Sequence, residues 1–127
     1  MTQPTVLVVD DDFDALYLTS AQLAQAGYRA ISATDIPQAL ERARAHKPDV
    51  VLLDHGLPFQ PGLGAVGLLR KEPAFADAAI VLVSARHFGG EEVSHLDGYL
   101  QKPWDPRDLL GTIERCLEER GPPVTAG

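Results

Sequence analysis

Three short apolar runs punctuate the chain: Thr5-Val6-Leu7-Val8-Val9, Val50-Val51-Leu52-Leu53 and Ile80-Val81-Leu82-Val83. Each is rich in branched side chains and shows no polar alternation. That pattern suits strands covered on both faces, as inside a parallel sheet. Residues 28–33 and 97–101 are weaker strand candidates. Between these runs the apolar positions recur at helical spacing. Residues 13–26 carry Leu16, Leu23 and several alanines and stop at Gly27, a residue suited to the position after a helix. Residues 36–46 follow Asp35 as N-cap, with Pro37 in the first turn. Residues 63–72 end before Pro73. Residues 106–119 follow Asp105 as N-cap, begin at Pro106 and place Leu109, Leu110, Ile113 and Leu117 on one face.

Strands alternating with helices predict βαβ units, a parallel sheet and right-handed crossovers. The pattern predicts five strands and five helices. Two helices look weak. Gly64 and Gly67 each cost the third about 1 kcal/mol against alanine. Only about ten residues, 88–97, are available for the fourth, room for roughly two turns. Residues 1–120 read as one domain and residues 121–127, Gly-Pro-Pro-Val-Thr-Ala-Gly, as a flexible tail or the start of a linker. The initial Met1 favours a chain that stands alone over a domain cut from a longer one.

At 127 residues the chain suits a single core. No apolar run approaches the ~20 residues that span a bilayer, so membrane insertion is not expected. The single Cys116 and the lack of a signal-like N-terminus point to a reducing, cytoplasmic setting. Eighteen acidic residues against eleven basic ones give a net charge of −7. No basic stripe is available for phosphate backbones, so direct nucleic-acid binding is not expected. Glu91-Glu92 and Glu118-Glu119 read as solvated faces. The cluster Asp10-Asp11-Asp12 differs, because it directly follows an apolar strand.

Ligands of open parallel sheets sit beyond the carboxyl ends of the strands. The first strand here ends in Asp10-Asp11-Asp12 and the third in Asp54. Carboxylates that crowd one crevice need a cation or protons, and an oxygen-rich site suits Mg²⁺. The fourth strand ends in Ser84, a hydroxyl donor, and the fifth is followed by Lys102. Acid pair, lone acid, hydroxyl and ammonium together suit phosphoryl transfer to a carboxylate nucleophile.

These segments resemble the signature segments of response-regulator receiver domains. The resemblance lies in Val-Leu-Val-Val-Asp-Asp-Asp, Pro-Asp-Val-Val-Leu-Leu-Asp-His-Gly-Leu-Pro, Val-Leu-Val-Ser-Ala-Arg and Gly-Tyr-Leu-Gln-Lys-Pro-Trp, and covers roughly residues 5–120. It implies an α/β fold of the flavodoxin-like kind, a doubly wound parallel sheet in the order 2-1-3-4-5. It implies Asp54 as phosphoacceptor, with Asp10, Asp11, Asp54 and the Gly56 backbone carbonyl holding Mg²⁺ or Mn²⁺. Ser84 and Lys102 are implied to contact the phosphoryl group, and Tyr99 to follow Ser84 as a switch. The Lys102–Pro103 bond is implied to be cis. The implied partners are a sensor histidine kinase or phosphotransfer protein and a downstream protein. Such a module is a phosphorylated switch with self-catalysed turnover, not a metabolic enzyme.

Three departures from the family stand out. Ser84 to Lys102 spans 18 positions, about one helical turn (~4 residues) short. The deficit shortens the fourth helix, so its usual output face is expected to be remodelled. Gly56 replaces a larger apolar residue and leaves the phosphoryl group more open to water, and Pro61 replaces an acid. Arg86, two positions past Ser84, is placed to reach the phosphoryl group, and Arg86→Ala is expected to change the lifetime of the phosphorylated form. Asp12 and Asp14 read as first-turn acids favoured by the helix dipole. Histidines 46, 55, 87 and 95 read as loop or surface residues, Trp104 and Phe88 as packing or contact residues, and Cys116 as a filler. Two other classes compete. A phosphorylation-independent interaction module is supported only by the shortened helix. An aspartyl-phosphate phosphohydrolase would use Asp10-x-Asp12, but 127 residues leave no cap domain.

Overall fold

The structure, a computed structural model, describes residues 3–57, 66–67, 69–85 and 97–120. Five parallel strands form one sheet: β1 (Thr5–Val9), β2 (Arg29–Ala33), β3 (Val50–Asp54), β4 (Ala79–Ser84) and β5 (Gly98–Gln101). Their order is β2-β1-β3-β4-β5. The central strands β1, β3 and β4 are buried along their whole length. Their continuous Val/Ile/Leu composition follows from that, since side chains on both faces meet protein. The edge strands β2 and β5 are only partly buried, which is why their sequence signals are weak.

Three full helices are described: α1 (Phe13–Gln25), α2 (Ile36–His46) and α3 (Pro106–Arg120). Asp12 is the N-cap of α1, accepting from the Asp14 backbone N–H at 3.0 Å. This corrects the reading of Asp12 as a first-turn acid, since its carboxylate caps an orphan N–H directly. Asp14 does sit in the first turn. Gly27 follows the helix with φ +93°, a conformation that favours glycine. Asp35 caps α2 through the Gln38 N–H at 2.8 Å. Asp105 caps α3 through the Arg107 N–H at 2.8 Å, and Asp108 reaches back to the Asp105 N–H at 3.2 Å. That reciprocal pair is a capping box with aspartate in the usual Glu/Gln position.

Between β3 and β4, residues 66–67 and 69–70 are helical, and a short 3₁₀ turn follows at Pro73–Phe75. The expected helix of residues 63–72 is therefore seen only over its last described turn, and it stops before Pro73. The expected fourth helix, together with Arg86, His87, Phe88 and His95, lies outside the described residues, as do Pro58, Pro61, Gly62 and the expected tail at 121–127.

Two apolar layers sandwich the sheet. One joins Leu7, Val9, Val51, Leu53 and Ile80 to Ala39 and Ala43 of α2 and to Leu69 and Phe75. The other joins Val6, Val8, Val50, Leu52 and Val81 to Leu16 and Leu23 of α1 and to Leu109, Ile113 and Cys116 of α3. Each fully buried Leu, Ile or Phe contributes roughly 1.5–3 kcal/mol. Among the described residues no helix is long and apolar enough to cross a membrane.

Candidate functional site

Strand register brings the site together. β1 and β3 pair as Val8↔Leu52 and Val9↔Leu53, so the next step of the ladder sets Asp10 beside Asp54. β3 and β4 pair as Asp54↔Val83, which leaves Ser84 one residue beyond Asp54. β4 and β5 pair as Ser84↔Gln101, which leaves Lys102 one residue beyond Ser84. Backbone bonds carry the ladders past the strand ends. The His55 N–H donates to the Val83 carbonyl at 2.8 Å, and the Lys102 N–H to the Ser84 carbonyl at 2.7 Å. Residues up to 92 positions apart thus share one crevice at the carboxyl edge of the sheet.

Asp10, Asp11 and Asp54 each offer a carboxylate oxygen there, all within 4.8 Å of one another. Asp10 and Asp54 are buried and Asp11 is exposed. Asp10 is further held because its Oδ1 accepts from the Asp12 N–H at 3.0 Å. The Lys102 Nζ lies 3.2 Å from Asp10 Oδ2 and 3.3 Å from Asp54 Oδ1, bridging the two buried acids. Burial, and then the neighbouring Asp10 charge, push the Asp54 carboxyl above its ordinary pKa; Lys102 and a backbone hydrogen bond from Gly56 oppose this. Burial pulls the Lys102 ammonium down, but Asp54 and Asp10 together outweigh it, so the net shift is upward. Three carboxylates thus converge on a crevice that holds one ammonium.

That arrangement fits a hard divalent cation. The donors are all oxygens, three converge, and the crowding they create is relieved by positive charge. A Cβ at Gly56 would stand 3.4 Å from Asp54 Oδ2, so glycine leaves the side of the carboxylate open.

Ser84 is buried at the end of β4. Tyr99 is half-buried on β5 beside Leu82. Strand alternation puts it on the same sheet face as Gln101, next to Ser84. The Lys102–Pro103 peptide is cis, as expected. Trp104 packs against the layer of α1 and α3, and Cys116 is fully buried there. His55 is half-buried and is not among the three clustered acids.

The sequence reading missed the aromatic rim. Phe13 and Tyr17, one turn apart at the start of α1, are each 75% exposed. An i, i+4 aromatic pair off the apolar stripe was the available signal. It also missed the Trp104 indole N–H bonded to Gln22 Oε1 at 3.3 Å, for which a mid-helix glutamine gives no warning.

The chain is similar to known proteins over most of its length. The family model for the response regulator receiver domain matches residues 6–114. Protein Rrf1 of Nitratidesulfovibrio vulgaris is 40% identical over 115 residues, covering 88% of this chain and 81% of that protein. The transcriptional regulatory protein PrrA of Mycobacterium tuberculosis is 33% identical over 130 residues, covering 99% of this chain but 55% of PrrA. The chain thus spans about half the length of several curated relatives it matches. The chemotaxis protein CheY4 of Vibrio cholerae superposes with a TM-score of 0.84 at 28% identity, over 91% of this chain and all of that one. With a matching family model over most of its length, the expected strand order and an acidic crevice at the carboxyl edge of the sheet, the chain belongs to the response-regulator receiver domains.

Proposed function

We propose that Asp54 is the phosphoacceptor of this receiver domain and that Asp10, Asp11, Asp54 and the Gly56 carbonyl hold Mg²⁺ or Mn²⁺ beside it. The observation that carries this reading is the cluster of three carboxylates within 4.8 Å, two of them bridged by Lys102. When bound, the cation supplies charge neutralisation for the incoming phosphoryl oxygens and the attacking carboxylate.

The chain's own residues do the rest. An ionised Asp54 oxygen attacks phosphorus; the bond from phosphorus to the donor's imidazole nitrogen, or to the acetate oxygen of acetyl phosphate, breaks, and an acyl phosphate forms. Burial and Asp10 favour the unreactive protonated Asp54, and Lys102 counters both. Once charge moves onto the phosphoryl oxygens, Lys102 pairs with one as a point charge and the Ser84 hydroxyl donates to another. Tyr99, on the Ser84 face of β5, follows that hydroxyl and relays the change to the surface between β5 and α3. Water later breaks the P–O bond of the acyl phosphate and releases inorganic phosphate.

The donor is a sensor histidine kinase or phosphotransfer protein, and a downstream protein reads the switched surface. Phe13 and Tyr17 support a protein donor, because they are exposed aromatics on the helix that directly follows the acidic loop, and exposed apolar surface favours a macromolecular contact. Intact mass after incubation with Mg²⁺ and acetyl phosphate tests the assignment. A phosphoryl-sized gain in the wild type that is absent in Asp54→Asn is expected. No gain in the wild type, and no response to beryllofluoride, would sink it in favour of a phosphorylation-independent interaction module.

A further inference from the structure

We propose that Gln22 and Trp104 are positioning residues for Lys102. This rests on the reading of Lys102 as the phosphoryl-pairing cation. Lys102 directly follows β5, and the chain then leaves the sheet for α3 through Pro103, Trp104 and Asp105. Within the site, a charge-assisted hydrogen bond joins the loop carrying Lys102 to the loop carrying Asp10, from Nζ to Asp10 Oδ2 at 3.2 Å. A divalent cation would compete for that same carboxylate. The Lys102 N–H donates to the Ser84 carbonyl at 2.7 Å and holds the strand side of the loop to β4; the side that leaves the sheet needs a contact of its own, one independent of charge.

The Trp104 side chain supplies one. Its ring packs against the layer formed with α1 and α3, and its Nε1–H donates to Gln22 Oε1 of α1 at 3.3 Å. α1 begins at Phe13, directly after the Asp10–Asp12 loop, and is capped by Asp12. One helix therefore carries both the acidic loop at its start and the tether to the lysine loop two to three turns later. The bond is neutral and half-buried, so neither metal nor phosphate alters it. It fixes the backbone two residues from Lys102 while the ammonium moves from carboxylate to phosphoryl oxygen.

The test is a double-mutant design in the full chain. Gln22→Leu removes the acceptor at similar volume, and Trp104→Phe keeps a ring but removes the N–H. Loss of one neutral hydrogen bond corresponds to about a 3–10-fold effect. Each variant should slow acetyl phosphate labelling of Asp54 by that factor, in the maximal rate rather than in half-saturation. Each should also tighten Mg²⁺ binding measured by calorimetry, because a looser ammonium competes less for Asp10 and Asp54. Gln22→Glu, which keeps an acceptor oxygen, should restore both. In a Lys102→Met background, Gln22→Leu should change neither quantity. Effects of equal size in both backgrounds would show that Gln22 acts on the fold and would overturn the proposal, as would a Gln22→Leu protein identical to wild type. A wild-type protein that takes no phosphoryl group at all would instead defeat the functional reading on which the proposal stands.

Discussion

Replacing Lys102 with methionine should weaken the metal-free protein and strengthen its hold on Mg²⁺. The ammonium stands 3.2 Å from Asp10 and 3.3 Å from Asp54. At an effective dielectric of ~20, each contact is worth about 5 kcal/mol of Coulomb attraction. Desolvation of the ammonium and lost side-chain freedom cancel much of that. Breaking a fully buried pair costs about 3–5 kcal/mol, and an exposed one about 0–1 kcal/mol. Lys102 keeps 30% of its side chain exposed while its partners are buried, so about 2 kcal/mol lies between those limits. In EDTA the urea midpoint of Lys102→Met should fall by about 1 M, for a slope near 2 kcal/mol per molar. Because lysine and the divalent cation neutralise the same oxygens, their binding is antagonistic. Reciprocal coupling then returns part of the 2 kcal/mol as affinity, roughly a tenfold tighter Mg²⁺ dissociation constant. Saturating Mg²⁺ should correspondingly narrow the gap in urea midpoints. Calorimetric titration and urea unfolding with and without Mg²⁺ read both halves. Unchanged stability in EDTA together with unchanged or weaker Mg²⁺ binding would refute the reasoning, because it would mean that Lys102 does not neutralise this cluster.

Asp54 has a folded pKa above its ordinary value. Its contribution to the metal-free fold is therefore complete below the unfolded value of about 4 and is lost as pH rises through the folded pKa. In EDTA, Asp54→Asn should gain stability relative to wild type across that rise; parallel pH profiles would contradict it. Phe13→Ala and Tyr17→Ala should leave stability within about 0.5 kcal/mol, since both side chains are exposed. They should leave acetyl phosphate labelling intact but slow transfer from a phosphohistidine protein about tenfold; equal rates with both donors would remove the aromatic rim from the account. Gly56→Met should lengthen the acyl phosphate lifetime by covering the open side of Asp54, where a Cβ would stand 3.4 Å from Oδ2. A lifetime unchanged in a phosphate-release assay would show that water enters elsewhere.

Local sequence was enough for the strands of the sheet interior, the caps of α2 and α3 and the identities of the acids. A run such as Val50–Leu53 suits a strand covered on both faces, as inside a parallel sheet, and Asp35 and Asp105 act within three residues of where they stand. The edge strands were fainter because half their surface meets water. The resemblance to receiver domains supplied the strand order, the site roles and the cis bond, which composition and spacing alone left open. An acid at the N-cap and one in the first turn look alike in sequence, so Asp12 reads as a first-turn acid although it caps α1. The two are told apart only by which backbone N–H the carboxylate meets.

Distances between remote residues belong to the tertiary structure. Nothing local in Lys102 predicts that its ammonium divides itself between Asp10 and Asp54, 92 and 48 positions away. Nothing in Gln22 foretells Trp104, 82 positions away. Likewise Arg70 pairs with Asp97 at the amino edge of the sheet, where the starts of β4 and β5 lie side by side. Side-chain chemistry is written residue by residue, so the chain declares which groups are acids, donors and cations. Their charge balance depends on separation and burial. Both are consequences of strand register and helix packing, in which every residue of the core takes part.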